Sequence, residues 1–269
     1  MALLVEPLYY RFFLHGLAVA LLVGSLCGLL GVYIVLRKMS YIGHGLSHAV
    51  FGGAVASFFL NVNFYIGAGL WGLLSVILID KIAARREINA DAAIGIITTA
   101  SFAIGVALMS HMRRFTRDFE AALFGNVLGV TASDLLVISA VTVLAGLALL
   151  FLYKPLLFST FDSEAAQVAG VPTRRVQLLF AGILALTILA SMQVLGVTLI
   201  AAALVIPAAT ARLLTNNFAV LLGLSTLFGA LTALCGMYCS YYLDIASGAS
   251  IVLTSALLFA IILAYRHWS

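Results

Sequence analysis

Nine long apolar runs follow one another along this chain, and that succession decides what it can fold into. They cover roughly 12–36, 40–62, 64–80, 92–110, 133–153, 177–194, 197–213, 218–243 and 248–265. A helix crosses a bilayer with about 20 apolar residues. The runs show no ten-residue alternation of apolar and polar positions, so a barrel does not fit them. Helices do, because each satisfies its own backbone groups in lipid. Only Leu195 and Gly196 separate the sixth and seventh runs. One of those two is expected to be a short or broken helix. The expectation is an all-α polytopic membrane protein, a single transmembrane domain over 1–269 with roughly eight or nine spans. Of all residues, 64% are hydrophobic and 9% charged, against about 45–50% and 25% in soluble domains. That surplus needs lipid around it. It leaves no stretch for an ATPase or a soluble receptor domain, so either would be a separate chain.

The net charge is +4, from 14 basic and 10 acidic residues. The basic residues sit at run ends rather than in a patch, so they read as topology signals and not as a nucleic-acid surface. Arg37 and Lys38 follow the first run, and Lys81, Arg85 and Arg86 the third. Lys154, Arg174 and Arg175 flank the loop after the fifth, and Arg212 and Arg266 close the seventh and ninth. Simple alternation puts all of these on the cytoplasmic side and the N-terminus outside. Arg113, Arg114 and Arg117 then fall outside, against the rule, which marks 111–132 as unusual. The opening MALLVEPLYYRFFLHG has no basic n-region followed by a small-residue cleavage site, so it reads as mature sequence. Cys27, Cys235 and Cys239 lie in apolar segments and make no secreted disulfide framework.

The most informative stretch is Gly43-His44-Gly45-Leu46-Ser47-His48. Residues four apart share a helix face, so His44 and His48 can present two imidazoles to one point. Imidazole suits zinc and other late first-row metals. An ionisable side chain within a span is costly and usually faces a cavity or a pathway. The plainer reading is two histidines hydrogen-bonded between packed helices. The glycines at 43, 45, 52 and 53 permit close helix approach. Cys235 and Cys239 repeat the four-residue spacing, but free cysteine more often serves as a small buried hydrophobe.

The loop 154–176 carries a second pattern. Asp162 or Ser163 can cap a short helix, Glu164 and Ala165 lie in its first turn, and Gly170 can end it. Such an element has the shape of a docking segment; an ordinary interfacial loop is the alternative. Pro207, inside Ile206-Pro207-Ala208-Ala209-Thr210-Ala211-Arg212, removes one helical hydrogen bond and kinks or breaks its helix.

At these residues the chain resembles the membrane permeases of bacterial ATP-binding-cassette importers for zinc and manganese. The resemblance runs over nearly the whole chain. It rests on Leu36-Arg37-Lys38-Met39-Ser40 with Gly43 to His48, on Ala122-Leu123-Phe124-Gly125-Asn126 with Val130-Thr131, on Phe161-Asp162 to Ala169-Gly170-Val171, and on the Pro207 segment. It implies a permease in the bacterial cytoplasmic membrane, paired with a second copy of itself and with cytoplasmic ATPase subunits. An extracytoplasmic metal-binding protein would deliver Zn2+ or Mn2+, and no cofactor would stay bound. The first block in that family usually reads Gly-Asp-Ala-Leu-Ser-His. His48 matches its histidine, while His44 stands where the aspartate is usual. Two imidazoles lean towards a later metal than manganese. The 111–126 segment is expected to help receive the delivery protein. Asp162, Ser163, Glu164, Ala165 and Gly170 are expected to couple to the ATPase.

Two other classes frame this expectation. An ion-coupled secondary transporter of metal ions would need no ATPase, but tends to show inverted repeats and mid-span carboxylates. Asp80, Glu87, Asp91, Asp134 and Asp244 all lie near run ends. An intramembrane metalloenzyme would want a third protein ligand and a His-Glu-x-x-His helix, a motif this sequence lacks.

Overall fold

The computed structural model describes residues 5–84, 88–112 and 123–268. A 3-10 turn, Glu6–Tyr9, precedes α1 (Arg11–Leu36), α2 (Ser40–Phe59), α3 (Phe64–Ala83) and α4 (Ala90–Met112). A second 3-10 turn, Val127–Gly129, leads into α5 (Ala132–Phe151). Two short helices follow, α6 (Tyr153–Phe161) and α7 (Ser163–Val168). The chain ends with α8 (Thr173–Leu195), α9 (Ile200–Leu214), α10 (Phe218–Leu243) and α11 (Ser247–Trp268). No strand occurs among the described residues.

Each apolar run has become a helix, and the polytopic all-α expectation holds. Among the described residues, seven helices are long and apolar enough to cross a membrane: α1, α3, α4, α5, α8, α10 and α11. The count of eight or nine is reached only by adding one or both of two further helices of different character. Helix α2 has 20 residues, but its glycines, serines and histidines make it less apolar. Helix α9 has 15 residues, about 22 Å at 1.5 Å per residue, short of a hydrocarbon core of about 30 Å.

Several boundaries are written in side chains. Asn63 caps α3 by accepting from the amides of Tyr65 (3.0 Å) and Ile66 (3.3 Å). Asn217 caps α10 by accepting from Ala219 (3.0 Å) and Val220 (3.2 Å). At α5, Asp134 accepts from the Thr131 amide (2.9 Å) while the Thr131 hydroxyl accepts from the Asp134 amide (3.2 Å). That reciprocal pair is a capping box.

The chain divides into two compact units. One comprises Met1–Val35, Asp118–Val143 and Ala190–Ser269. There α9, α10 and α11 pack on one another, and α1 meets α10 along small residues. A Cβ on Gly24 would strike the Gly229 carbonyl, and one on Gly28 the Ser225 carbonyl. The Ser225 hydroxyl donates to the Gly28 carbonyl at 2.6 Å. An irregular stretch, 123–130, is tied to the turn between α8 and α9. The Asn126 amide donates to the Gln193 carbonyl (2.8 Å) and the Thr198 hydroxyl to the Leu123 carbonyl (2.9 Å). Gly125 and Gly196 both have positive φ, +81° and +72°, and a side chain on either would enter the other segment's backbone. At the far end of α9, Arg266 donates to the Leu213 carbonyl at 2.6 Å, so α9 and α11 finish together.

The other unit comprises Leu36–Arg117 and Leu144–Leu189. Its centre is α2, which packs against α4 and α3. Leu46, Val50, Phe51 and Val55 of α2 are fully enclosed. Gly52 lies directly on the Ser101 carbonyl of α4, and Gly53 on the Trp71 side chain of α3. Without side chains at these points the backbones approach as small residues allow between membrane helices.

Candidate metal pathway and coupling segment

Packing fixes which face of α2 is left over. Gly43, Gly45, Leu46 and Ser47 are buried, whereas Tyr41 and His44 are exposed and His48 is half-buried. The pairing expected from the four-residue spacing is present. His44 Nε2 and His48 Nε2 lie 3.2 Å apart, with ring centroids at 4.5 Å and planes at 81°. Tyr41 stands one turn before His44, 6.2 Å between ring centroids. Across from α4, Phe102 meets His48 edge to face at 4.6 Å and 89°, and itself leans on Phe51 at 5.3 Å. The His48 Nδ1 atom is buried and has no hydrogen-bond partner among the described residues.

The spacing suits a shared ion. A metal about 2.0–2.1 Å from each Nε2 would see them at an angle of about 100°. That lies between octahedral and tetrahedral values, so spacing alone selects neither. Among the described residues no third histidine, cysteine or carboxylate joins the pair. The pair can supply two ligands of a shell and leaves the other positions open. Cys235 and Cys239, both exposed, belong to the other unit. Arg85, Arg86, Arg113, Arg114, Arg117 and Ala122 lie outside the described residues.

Within 154–176, the part from Asp162 to Gly170 folds as its punctuation predicts, whereas Tyr153–Phe161 is helix α6 where a loop is expected. Asp162 caps α7 by accepting from the Ala165 amide at 2.8 Å. Gly170, at φ +84°, ends the turn, its amide donating to the Gln167 carbonyl at 2.9 Å. Gln167 then reaches the Thr173 hydroxyl at 2.8 Å, at the start of α8. Ser163, Glu164 and Ala165 form the first turn, only Ala166 of α7 is buried, and Val168 is 90% exposed. A short capped helix thus projects most of its surface outward.

Sequence reasoning gave Arg37 a topological role alone. In the structure it also clasps this segment. Its guanidinium donates to the Thr160 hydroxyl (2.9 Å), the Ser159 hydroxyl (3.0 Å) and the Leu156 carbonyl (3.4 Å), and lies 5.1 Å from the centre of the Phe180 ring. Nearby in the same unit, Arg174 pairs with Asp80 at 2.8 Å. Phe102 was likewise missed. Nothing local marks it, since it reaches His48 only through the packing of α4 on α2. Tyr41 could have been found from its spacing, three residues before His44. Pro207 is accommodated inside α9, buried, without breaking it.

Comparison with known proteins gives this arrangement a context. The chain is 40% identical over 256 residues to the manganese transport system membrane protein MntC of Halalkalibacterium halodurans, covering 95% of this chain and 88% of that one. It is 40% identical over 252 residues to the manganese import system permease protein ScaB of Streptococcus parasanguinis, covering 94% and 90%. The solved structure of PsaBC from Streptococcus pneumoniae in complex with Fab matches with a TM-score of 0.88 at 35% identity, over 97% of this chain and 94% of that one. The family described as the ABC 3 transport family matches residues 9–266. With the match running over almost every helix described above, this chain belongs to the ABC 3 transport family.

Proposed function

We propose that this chain is the permease subunit of an ATP-driven importer of divalent transition-metal ions, manganese or zinc, and that His44 and His48 line its pathway. The observation that carries this reading is the imidazole pair, 3.2 Å apart on the uncovered face of α2. An imidazole exposed to lipid is costly, so such a face suits a wet path or a second copy of the chain. Two ligands with water completing the shell bind an ion while leaving it able to depart. The relatives' names support manganese as cargo; the second imidazole, where a carboxylate is usual, favours zinc, because carboxylate is the harder ligand. Energy comes from a separate cytoplasmic ATPase docked on α7, with Asp162, Ser163, Glu164, Ala165 and Gly170 forming the coupling surface. A metal-binding protein outside the membrane delivers the ion.

The test has two arms. Purification from native membranes should bring down an ATPase and a second copy of the chain. His48→Ala should abolish metal uptake while that complex stays assembled. His44→Asp should keep uptake and move preference towards Mn2+ over Zn2+. Normal uptake of both ions by His44→Ala and by His48→Ala would make the pair structural and remove the site.

A further inference from the structure

The 3.2 Å contact between the two Nε2 atoms has a chemical requirement. One Nε2 must carry a proton and the other a lone pair. A buried N–H without an acceptor is more costly than a buried bare acceptor. The His48 Nδ1 atom is buried and unpartnered among the described residues. The lower-energy arrangement therefore places the His48 proton on Nε2, donating to His44, and leaves Nδ1 bare. An ion held by both Nε2 lone pairs reverses this. The His48 ring must shift its proton from Nε2 to Nδ1, a change of tautomer with no net gain or loss of protons. That N–H then points at no acceptor.

Metal-ligating histidines normally donate their second N–H to a carboxylate, a carbonyl or water, and that partner strengthens the metal bond. Here the neighbouring hydroxyls are turned elsewhere. Ser47 donates to the His44 carbonyl, Thr98 to Ile94 and Ser101 to Ile97. The ring packed edge to face on His48 belongs to Phe102, an apolar residue. We infer that Phe102 is a positioning residue: it fixes the His48 ring by packing and denies Nδ1 an acceptor, so that the pair holds its cargo loosely enough to release it. This inference rests on the reading of the pair as part of the pathway.

The experiment measures Zn2+ alone, by equilibrium binding to the chain purified with its co-eluting subunits, together with uptake rate. Phe102→Gln offers an acceptor beside the ring. It is expected to tighten Zn2+ binding about 10- to 100-fold, the usual worth of such a partner, and to slow uptake at saturating metal. Damage to the fold cannot produce a gain in affinity. Phe102→Leu, which offers no acceptor, should show no tightening. Histidine 15N spectra of the Zn2+-loaded unmodified protein give a second reading that needs no variant. His48 should appear metal-bound at Nε2, with an Nδ1–H lacking the shift of a strong hydrogen bond. A strongly hydrogen-bonded Nδ1–H, or an assembled Phe102→Gln complex with unchanged or weaker affinity, overturns the inference. His48→Ala separates the two levels. If it leaves Zn2+ binding intact, the pathway reading itself fails. If it abolishes binding while Phe102→Gln tightens nothing, only the role of Phe102 fails.

Discussion

Single glycines do as much as the histidines to build the candidate pathway. Gly52 rests on the Ser101 carbonyl, and Gly45 faces Ile94 and Thr98. These contacts hold α2 against α4 and bring Phe102 to His48. Gly52→Ala puts a methyl group into the Ser101 backbone, which has no flexible end to yield. Overpacking of this kind costs about 1–3 kcal/mol. The expected outcome is a lower melting temperature in detergent together with lost uptake, although no ligand has changed; unaltered thermal stability would show that α2 and α4 can separate at little cost. At this scale the sequence was partly legible. The His44–His48 pairing follows from helix periodicity alone, since both atoms belong to one element. Phe102 and the orphaned Nδ1 depend on which helix packs where, and no spacing within α2 contains that.

Among elements, α7 is the clearest case of local chemistry deciding structure. An aspartate that accepts from the amide three residues on, and a glycine free to take positive φ, define a helix of six residues. Asp162→Ala removes the cap at a cost of about 1 kcal/mol. Arg37→Ala removes the clasp on Ser159, Thr160 and Leu156. Both should loosen the proposed coupling segment more than the spans. The expected result is ATP hydrolysis with reduced uptake per ATP, in variants whose metal binding is unchanged. A proportional fall in both activities would place these residues outside the coupling path. Cysteines at Ala165 and on the ATPase surface should crosslink; a loop accessible only from outside would overturn both orientation and coupling. Element boundaries were legible because each run, cap and glycine acts within a few residues. The α10 limits match the apolar run end to end. What escaped was the tie from Arg37 to a segment more than a hundred residues later. A terminal arginine looks the same in sequence whether it faces lipid headgroups or a hydroxyl.

For the molecule as a whole, apolar surface is turned outward on a large scale. Leu136, Leu144, Leu150 and Phe151 of α5 are between 66% and 84% exposed, which suits lipid and no aqueous surface. Within the first of the two units one backbone junction stands apart. Helix α9 ends beside α11 and, with 15 residues, is about 8 Å shorter than a hydrocarbon core of about 30 Å. At its beginning, and in the Gly196 turn before it, peptide groups left without helical bonds must find other partners. They find them in 123–126, so two irregular strips satisfy each other in place of helical bonds. The consequence is a difference in lifetime. A helical bond in a span breaks only when its whole turn opens, whereas the bonds between these strips break if either strip moves by itself. Deuterium should enter at 123–130 and 196–199 well before it enters the middle of α10 or α11, and exchange as slow as in those helices would mean the strips open only with the entire unit. Among helices whose bonds open a turn at a time, that seam is where the backbone keeps time with the outside.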